Sequence, residues 1–183
     1  ERRQIYCVVD AYIRETPNRQ RAMDNQTIRN EYSRFLGSAF QYSHFITIKA
    51  IHEHPFSRNQ IEKRLRTINF AINKQFLKSS WSRWEQGQRF WMVVVEEETK
   101  GKHFHALLHS PRVIHKNKLE YEYLPAFIKM KWNSLPLLVE QRQTKTGEHP
   151  LHIEPVRDSG KAARYIAKTL HNPERMNEEW FFI

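Results

Sequence analysis

Two histidines separated by a single residue, His103 and His105, are the strongest chemical signal in the sequence. Residues 102–109 are predicted to form a β-strand, on which side chains alternate between faces, so both imidazoles lie on one side roughly 6–7 Å apart. Phe104 and Ala106 occupy the opposite face. We expect that apolar face to contact the core and the histidines to line an open surface, where they can share one metal ion.

Glutamates on the preceding strand supply the oxygen ligand that such a site needs. Residues 91–96 are predicted to pair with the histidine strand through a turn at a Lys-Gly pair, which places Glu98 opposite His103 and Glu96 opposite His105. Both carboxylates then share the histidine face. Neutral imidazoles combined with a hard oxygen ligand suit Mn²⁺ or Mg²⁺, with coordination positions left for water and phosphate oxygens.

Two further observations bear on this metal site. His109 shares the predicted face but lies roughly 13 Å beyond His105, which is too far for the same set of ligands. The only cysteine, Cys7, excludes a cysteine-based zinc site and an intramolecular disulfide. A His-x-His pair is also common on solvated strand faces, so the triplet alone does not establish a metal site.

A tyrosine and a lysine share one face of a predicted helix near the end of the sequence. Tyr165 and Lys168 are three residues apart, and Lys161 lies one turn before Tyr165. A phenol has an ordinary pKa of about 10, but it can act as a nucleophile beside a cation and a metal-neutralised phosphate. A half-buried tyrosine beside a solvated lysine is equally typical of an ordinary amphipathic helix.

The elements that carry these residues predict an α+β fold, an antiparallel sheet with helices packed on it. Strands are predicted at residues 44–51, 91–96, 102–109, 151–156 and 179–183. Helices are predicted from Ser57 to about residue 76, over residues 125–132, and from an Asp158 or Ser159 cap to before Pro173. Residues 1–42 are expected to be an N-terminal extension packed on a core domain of residues 43–183.

Composition limits the class of function. The 183 residues include 30 Lys and Arg against 20 Asp and Glu, and the formal net charge of +10 indicates a polyanionic partner. No apolar stretch is long enough to span a membrane, and neither a GxGxxG nor a P-loop motif is present. We therefore expect a soluble protein, and the single cysteine favours an intracellular setting.

Taken together and in this order, three motifs resemble the HUH endonuclease superfamily, specifically its single-tyrosine rolling-circle replication initiators. Residues 45–49 (Phe-Ile-Thr-Ile-Lys) are similar to the first motif of the family. His103-Phe104-His105 resembles the His-hydrophobe-His motif, and residues 164–168 (Arg-Tyr-Ile-Ala-Lys) resemble the Tyr-x-x-Lys helix. The resemblance covers about residues 43–183 and implies a nuclease domain with a central antiparallel sheet of about five strands.

The resemblance also implies a chemistry. The two histidines and an acid would bind the divalent ion, and Glu96 is preferred over Glu98 because it ends the valine run as the family's acid does. Tyr165 would attack the scissile phosphate of single-stranded DNA and form a 5′-phosphotyrosine link, assisted by Lys168. The 3′-hydroxyl that is released would prime replication or attack the link to rejoin the strand.

Partners follow from the same resemblance. Lys161, Arg164 and Lys49 are the expected contacts with nucleic acid, and a helicase is expected in trans or on a further domain. Two alternative functions remain: a single-tyrosine transposase of the same superfamily, and a non-catalytic module that binds single strands through Trp81, Trp84, Trp91 and basic side chains, although packing in the core is the favoured role for Trp91.

Overall fold

The structure is a computed structural model. It describes residues 25–49, 57–77, 81–97, 103–115, 118–135, 149–168 and 180–183. The helices in these ranges are α1 (Asn25–Ala39), α2 (Arg58–Leu77), α3 (Arg112–His115), α4 (Lys118–Ser134) and α5 (Ser159–Lys168). The strands are β1 (Tyr42–Lys49), β2 (Trp91–Glu97), β3 (His103–His109), β4 (Leu151–Pro155) and β5 (Trp180–Phe182), and two short 3₁₀ turns, Trp81–Arg83 and Gln86–Gln88, precede β2.

The predicted α+β class with an antiparallel sheet is confirmed. The strands form one sheet in the order β4-β1-β3-β2-β5, and every pair of neighbours is antiparallel. The strand that carries the histidine pair therefore lies at the centre of the sheet. Helices cover both faces, which explains why residues 91–95 of β2 are apolar without alternation and all buried.

One core cluster joins the sheet to α2 and α4. The predicted helix after Ser57 is confirmed, and its first turn forms a capping box in which the Gln60 N–H donates to Ser57 Oγ and the Ser57 N–H donates to Gln60 Oε1. The sheet face in this cluster includes the even-numbered residues of β2 and β3, Met92 and Val94, Phe104, Ala106 and Leu108.

The second core cluster lies on the opposite face of the sheet, under α1 and α5. Tyr32 and Leu36 of α1 pack there with Ala163, Ile166 and Ala167 of α5. The two helices cross closely at two glycines. A Cβ atom on Gly37 would lie only 3.1 Å from the Cα atom of Gly160. The part of the predicted N-terminal extension that the structure describes thus holds the tyrosine helix against the sheet.

The helix predicted from Pro125 is longer than expected. α4 begins at Lys118 and includes Pro125 in its interior. Leu124, Phe127 and Trp132 are buried on both sides of the proline. This packing stabilises a continuous helix despite the hydrogen bond that proline cannot donate.

Some predicted features lie outside the described residues. They are residues 1–24 of the extension, Glu98 with the turn that follows it, and the end of the tyrosine helix before Pro173. Within the described part of the chain, no helix combines the length and the apolar character that a bilayer span requires.

Candidate functional site

Three side chains meet where β2 and β3 face each other at one end of the sheet. Glu97 Oε2 lies 3.3 Å from His103 Nε2 and 3.1 Å from His105 Nε2. Potential ligand atoms of the three residues all lie within 4.8 Å of one another. Adjacent ligands of an octahedral ion with bonds of about 2.1 Å are about 3.0 Å apart, so the two distances from Glu97 Oε2 to the imidazole nitrogens fit a divalent ion of the Mg²⁺ class. We refer to Glu97, His103 and His105 as the metal cluster, meaning a cluster of side chains spaced to hold one ion.

The carboxylate of the cluster differs from the predicted one. Glu97, and not Glu96, pairs with the histidine strand opposite His103, whereas Glu96 lies opposite Phe104. The predicted register is wrong by one residue, and a shift of one residue moves a side chain to the other face of the sheet. Glu98, the second predicted candidate, lies outside the described residues.

The cluster is also less open than predicted. His105 is only 4% exposed. The ring of Phe45 lies 5.2 Å from its imidazole between centroids, and the ring of Tyr165 lies 5.3 Å from it. His103, at the end of the strand, is partly exposed, so the cluster has one buried and one accessible imidazole.

Strand β1 orients the buried imidazole. Thr47 lies directly opposite His105 in the sheet, and its Oγ1 is 3.2 Å from His105 Nδ1. With Nδ1 occupied by this hydroxyl, Nε2 faces Glu97. A second hydrogen bond that fixes the ring of a ligating histidine is a regular feature of metal sites. Thr47 belongs to the motif at residues 45–49, but no role for it was predicted. The sequence signal for such a role is its polar side chain on the strand face that it shares with Phe45.

The electrostatics of the cluster favour a neutral His105. Burial lowers the pKa of His105, and the neighbouring His103 lowers it further, while the charge and hydrogen bond of Glu97 act in the opposite direction. A metal ion binds the neutral imidazole. The residues present therefore fit a divalent ion in both spacing and protonation.

The helix α5 brings Tyr165 to the cluster. Asp158 caps this helix, because its Oδ1 accepts the N–H of Lys161 at 2.9 Å. Tyr165 contacts His105 edge-to-face at an interplanar angle of 89° and contacts Phe45 at 5.5 Å and 84°. Its side chain is nevertheless 46% exposed, so a large substrate can reach it.

The pKa of Tyr165 is raised, first by burial and then by the charge of Glu97. Both effects favour the protonated form of the phenol. Part of the shift comes from a carboxylate that a bound divalent ion would neutralise.

The predicted basic residues lie on the tyrosine helix or at the end of β1. Lys161, Arg164 and Lys168 are all exposed on α5, and Lys168 is one turn beyond Tyr165. Lys49 is exposed at the end of β1, directly opposite His103 in the sheet. Three of these cations thus lie on the helix that carries Tyr165, and the fourth lies at the end of the sheet that holds the cluster.

His109 takes no part in the cluster, as expected from its distance along β3. It is buried at the other end of the strand, where it stacks on Trp91 at 5.2 Å between ring centroids. Its Nδ1 lies 2.8 Å from the carbonyl oxygen of Gln41. Among the described residues, the one group spaced to hold a metal ion is the cluster of Glu97 and the two histidines.

The chain was compared with models of protein families, with curated proteins and with solved structures, and none of the three comparisons found a match.

Proposed function

We propose that this protein is a metal-dependent endonuclease that nicks single-stranded DNA through a covalent tyrosine intermediate and rejoins the strand. The observation that carries the proposal is the contact between Tyr165 and His105, 5.3 Å between ring centroids, at the edge of the metal cluster. A candidate nucleophile and a candidate metal site, both predicted from separate parts of the sequence, are adjacent in the fold.

Glu97, His103 and His105 are the residues that would hold the ion. A divalent ion bound there would polarise the scissile phosphate and offset its negative charge. Glu97 replaces Glu96 in this proposal because only Glu97 contacts the histidines. Thr47 is a positioning residue that holds the ring of His105 in place.

The proposed step exchanges one phosphodiester bond for another. Tyr165 Oη attacks the phosphorus atom, its phenolic proton is released, and an Oη–P bond forms while the bond from phosphorus to the 3′-oxygen breaks. The 3′-oxygen takes up a proton, so atoms and charge balance. The reverse reaction restores the strand, and no nucleotide triphosphate is consumed.

The surrounding cations support a polyanionic substrate. Lys168, one turn from Tyr165, would interact with the attacked phosphate, and Lys161, Arg164 and Lys49 would bind neighbouring phosphates. The formal net charge of +10 for the whole chain has the same sign.

The fold supports assignment to the HUH superfamily as a proposal. The histidine strand is central in the antiparallel sheet, and the tyrosine helix packs on the sheet face to which the two histidines belong. Both features agree with the motif order that resembles rolling-circle initiators. An intracellular setting is proposed on the single cysteine alone.

The direct experiment uses a fluorescent randomised single-stranded DNA pool incubated with the chain and Mn²⁺. We expect a protein–DNA adduct that survives denaturing detergent and disappears with excess EDTA or in His103→Ala. Adduct formation that persists in excess EDTA would contradict the metal role. Salt-sensitive binding with no adduct under any metal would contradict nicking and favour the non-catalytic binding module.

A further inference from the structure

A cavity of about 900 Å³ lies at the end of the sheet opposite the metal cluster. His109, at the last position of β3, lines it, whereas His103, at the first position of the same strand, belongs to the cluster. The volume is in the range of pockets that hold small organic molecules. Nothing in the proposed nicking reaction uses this cavity.

The walls of the cavity combine aromatic and polar groups. Phe40 and Trp84 supply aromatic surface, and two polar residues in the wall are themselves buried, His109 at 7% exposure and Ser110 at 1%. Both ring nitrogens of His109 face backbone carbonyl oxygens, Nδ1 at 2.8 Å from Gln41 and Nε2 at 3.4 Å from Gly87, so the protein itself engages these atoms and fixes the ring as part of the wall. Phe40 and Trp84 are the surfaces against which a flat ring can pack.

Charge selects the class of ligand. The one charged side chain among the described lining residues is the exposed Arg112, and no carboxylate is among them. At the exposed part of the wall the amide of Gln41 can both donate and accept hydrogen bonds, and Gln88, whose Oε1 accepts the N–H of Glu85 at 3.3 Å, offers its amide nitrogen as a donor. A nucleotide matches this set of groups, because it joins an aromatic base with a hydrogen-bonding edge to an anionic phosphate.

The cavity and the metal cluster are connected by one helix. Ser159, the first residue of α5, lines the cavity, and Tyr165 of the same helix lies on the cluster. Six residues of helix separate them by roughly 9 Å, and His105 and His109 are roughly 13 Å apart along β3. For a single strand that keeps the 3.4 Å rise per nucleotide of a strand in duplex DNA, this is the length of about three to four nucleotides.

We infer that the cavity binds one nucleotide of the single-stranded DNA, about three to four nucleotides from the phosphate that Tyr165 attacks; the position relative to the nick rests on the proposed function. The base enters the cavity against Phe40 and Trp84, and its phosphate lies near Arg112. The exposed Lys161 and Arg164 of α5 then lie between the two sites. A fixed base site at this distance would select the sequence beside the nick.

The test fills the cavity at Gly87. A Cβ atom on this residue meets no described atom within 4 Å, so Gly87→Leu occupies open space in the cavity. Ser82→Leu, on an exposed residue of the preceding 3₁₀ turn that does not line the cavity, is the matched control. Thermal unfolding of both variants establishes that they fold.

The probe is a labelled 20-nucleotide strand selected from a randomised pool by binding to Tyr165→Phe, which makes the probe independent of cleavage. In this background we expect Gly87→Leu to weaken binding roughly 5- to 100-fold, the usual effect of losing one stacked base. Ser82→Leu should bind like its parent. An abasic nucleotide at one position should cause a similar loss, with no further loss when it is combined with Gly87→Leu.

Unchanged strand binding by Gly87→Leu, or losses that add to those of every abasic position, would overturn the inference. Binding of free deoxynucleoside monophosphates that Gly87→Leu abolishes without affecting the strand would overturn it in favour of a free nucleotide ligand. Adduct formation is measured separately on the chain with Tyr165. An adduct without a cavity effect contradicts only the cavity assignment, and a cavity effect without an adduct contradicts only nicking.

Discussion

His105 Nε2 lies 3.1 Å from Glu97 Oε2 across the β2–β3 pair. A carboxylate oxygen and an imidazole lone pair repel each other at this distance unless a proton or a metal ion lies between them. Because burial lowers the pKa of His105, a divalent cation can displace the proton from the imidazole into solvent. This relationship makes Glu97 the residue on which the metal hypothesis depends.

Glu97→Gln should weaken Mn²⁺ binding by at least about ten-fold, because it removes the charged oxygen shared by both histidines. Isothermal titration of the DNA-free protein with Mn²⁺ measures this change. Glu96→Gln is the matched control, since Glu96 lies opposite Phe104. A loss in Glu96→Gln alone would return the ligand assignment to Glu96, and equal losses in the two variants would contradict a specific role of Glu97.

Thr47→Val should weaken Mn²⁺ binding by about 10- to 100-fold, because it removes the hydroxyl that lies against His105 Nδ1 while it keeps a similar shape. Thr67→Val is the control, since Thr67 Oγ1 donates to the Lys63 carbonyl oxygen on the exposed face of α2. The same titration tests both variants. Wild-type affinity in Thr47→Val would show that Thr47 does not position the imidazole.

Gly37→Leu should lower the free energy of unfolding by about 1–3 kcal/mol, because α1 and α5 cannot cross closely around a side chain at this position. A Cβ atom there would already lie 3.1 Å from the Gly160 backbone. Urea denaturation followed by tryptophan fluorescence measures the change. Gly87→Leu, at a glycine with open space around it, should remain within about 0.5 kcal/mol of wild type; comparable destabilisation of both variants would contradict the close helix crossing.

Asp158→Ala should reduce stability at neutral pH and have no effect in acid. The N–H of Lys161 holds the pKa of Asp158 below its usual value, so its stabilising effect is present above that usual value and is lost as pH falls through the pKa of the folded state. Thermal melts of wild type, Asp158→Ala and Asp158→Asn from pH 7 to pH 3 measure this. A difference between wild type and Asp158→Ala that grows toward acid pH would show that the cap is not the cause.

The sequence allows the fold to be predicted where its residues alternate or recur with a clear period. The period of Ile61, Leu65 and Ile68 predicts α2, and the alternation at Phe104 and Ala106 predicts β3, because each pattern has one buried face. The interior Pro125 gives the wrong start for α4, because the local signal of a proline is overridden by the packing of its neighbours.

The site could be predicted in its residue types but not in its register. Val93, Val94 and Val95 are buried on both faces of the sheet, so no alternation shows which face the following glutamates share. Five residues separate Glu97 from His103, one more than the predicted turn contains. The cover that Tyr165 places on His105 depends on the packing of α5, which local sequence patterns do not encode.

The central claim is that Tyr165 is the nucleophile, and the identity of the modified residue tests it most directly. The adduct formed with Mn²⁺ and single-stranded DNA is digested with protease and nuclease, and mass spectrometry locates the nucleotide. Tyr123→Phe, at another exposed tyrosine, is the matched control for Tyr165→Phe. We predict a nucleotide linked through its 5′-phosphate to Tyr165 in wild type and in Tyr123→Phe, and no adduct in Tyr165→Phe. An adduct that persists in Tyr165→Phe would contradict the account.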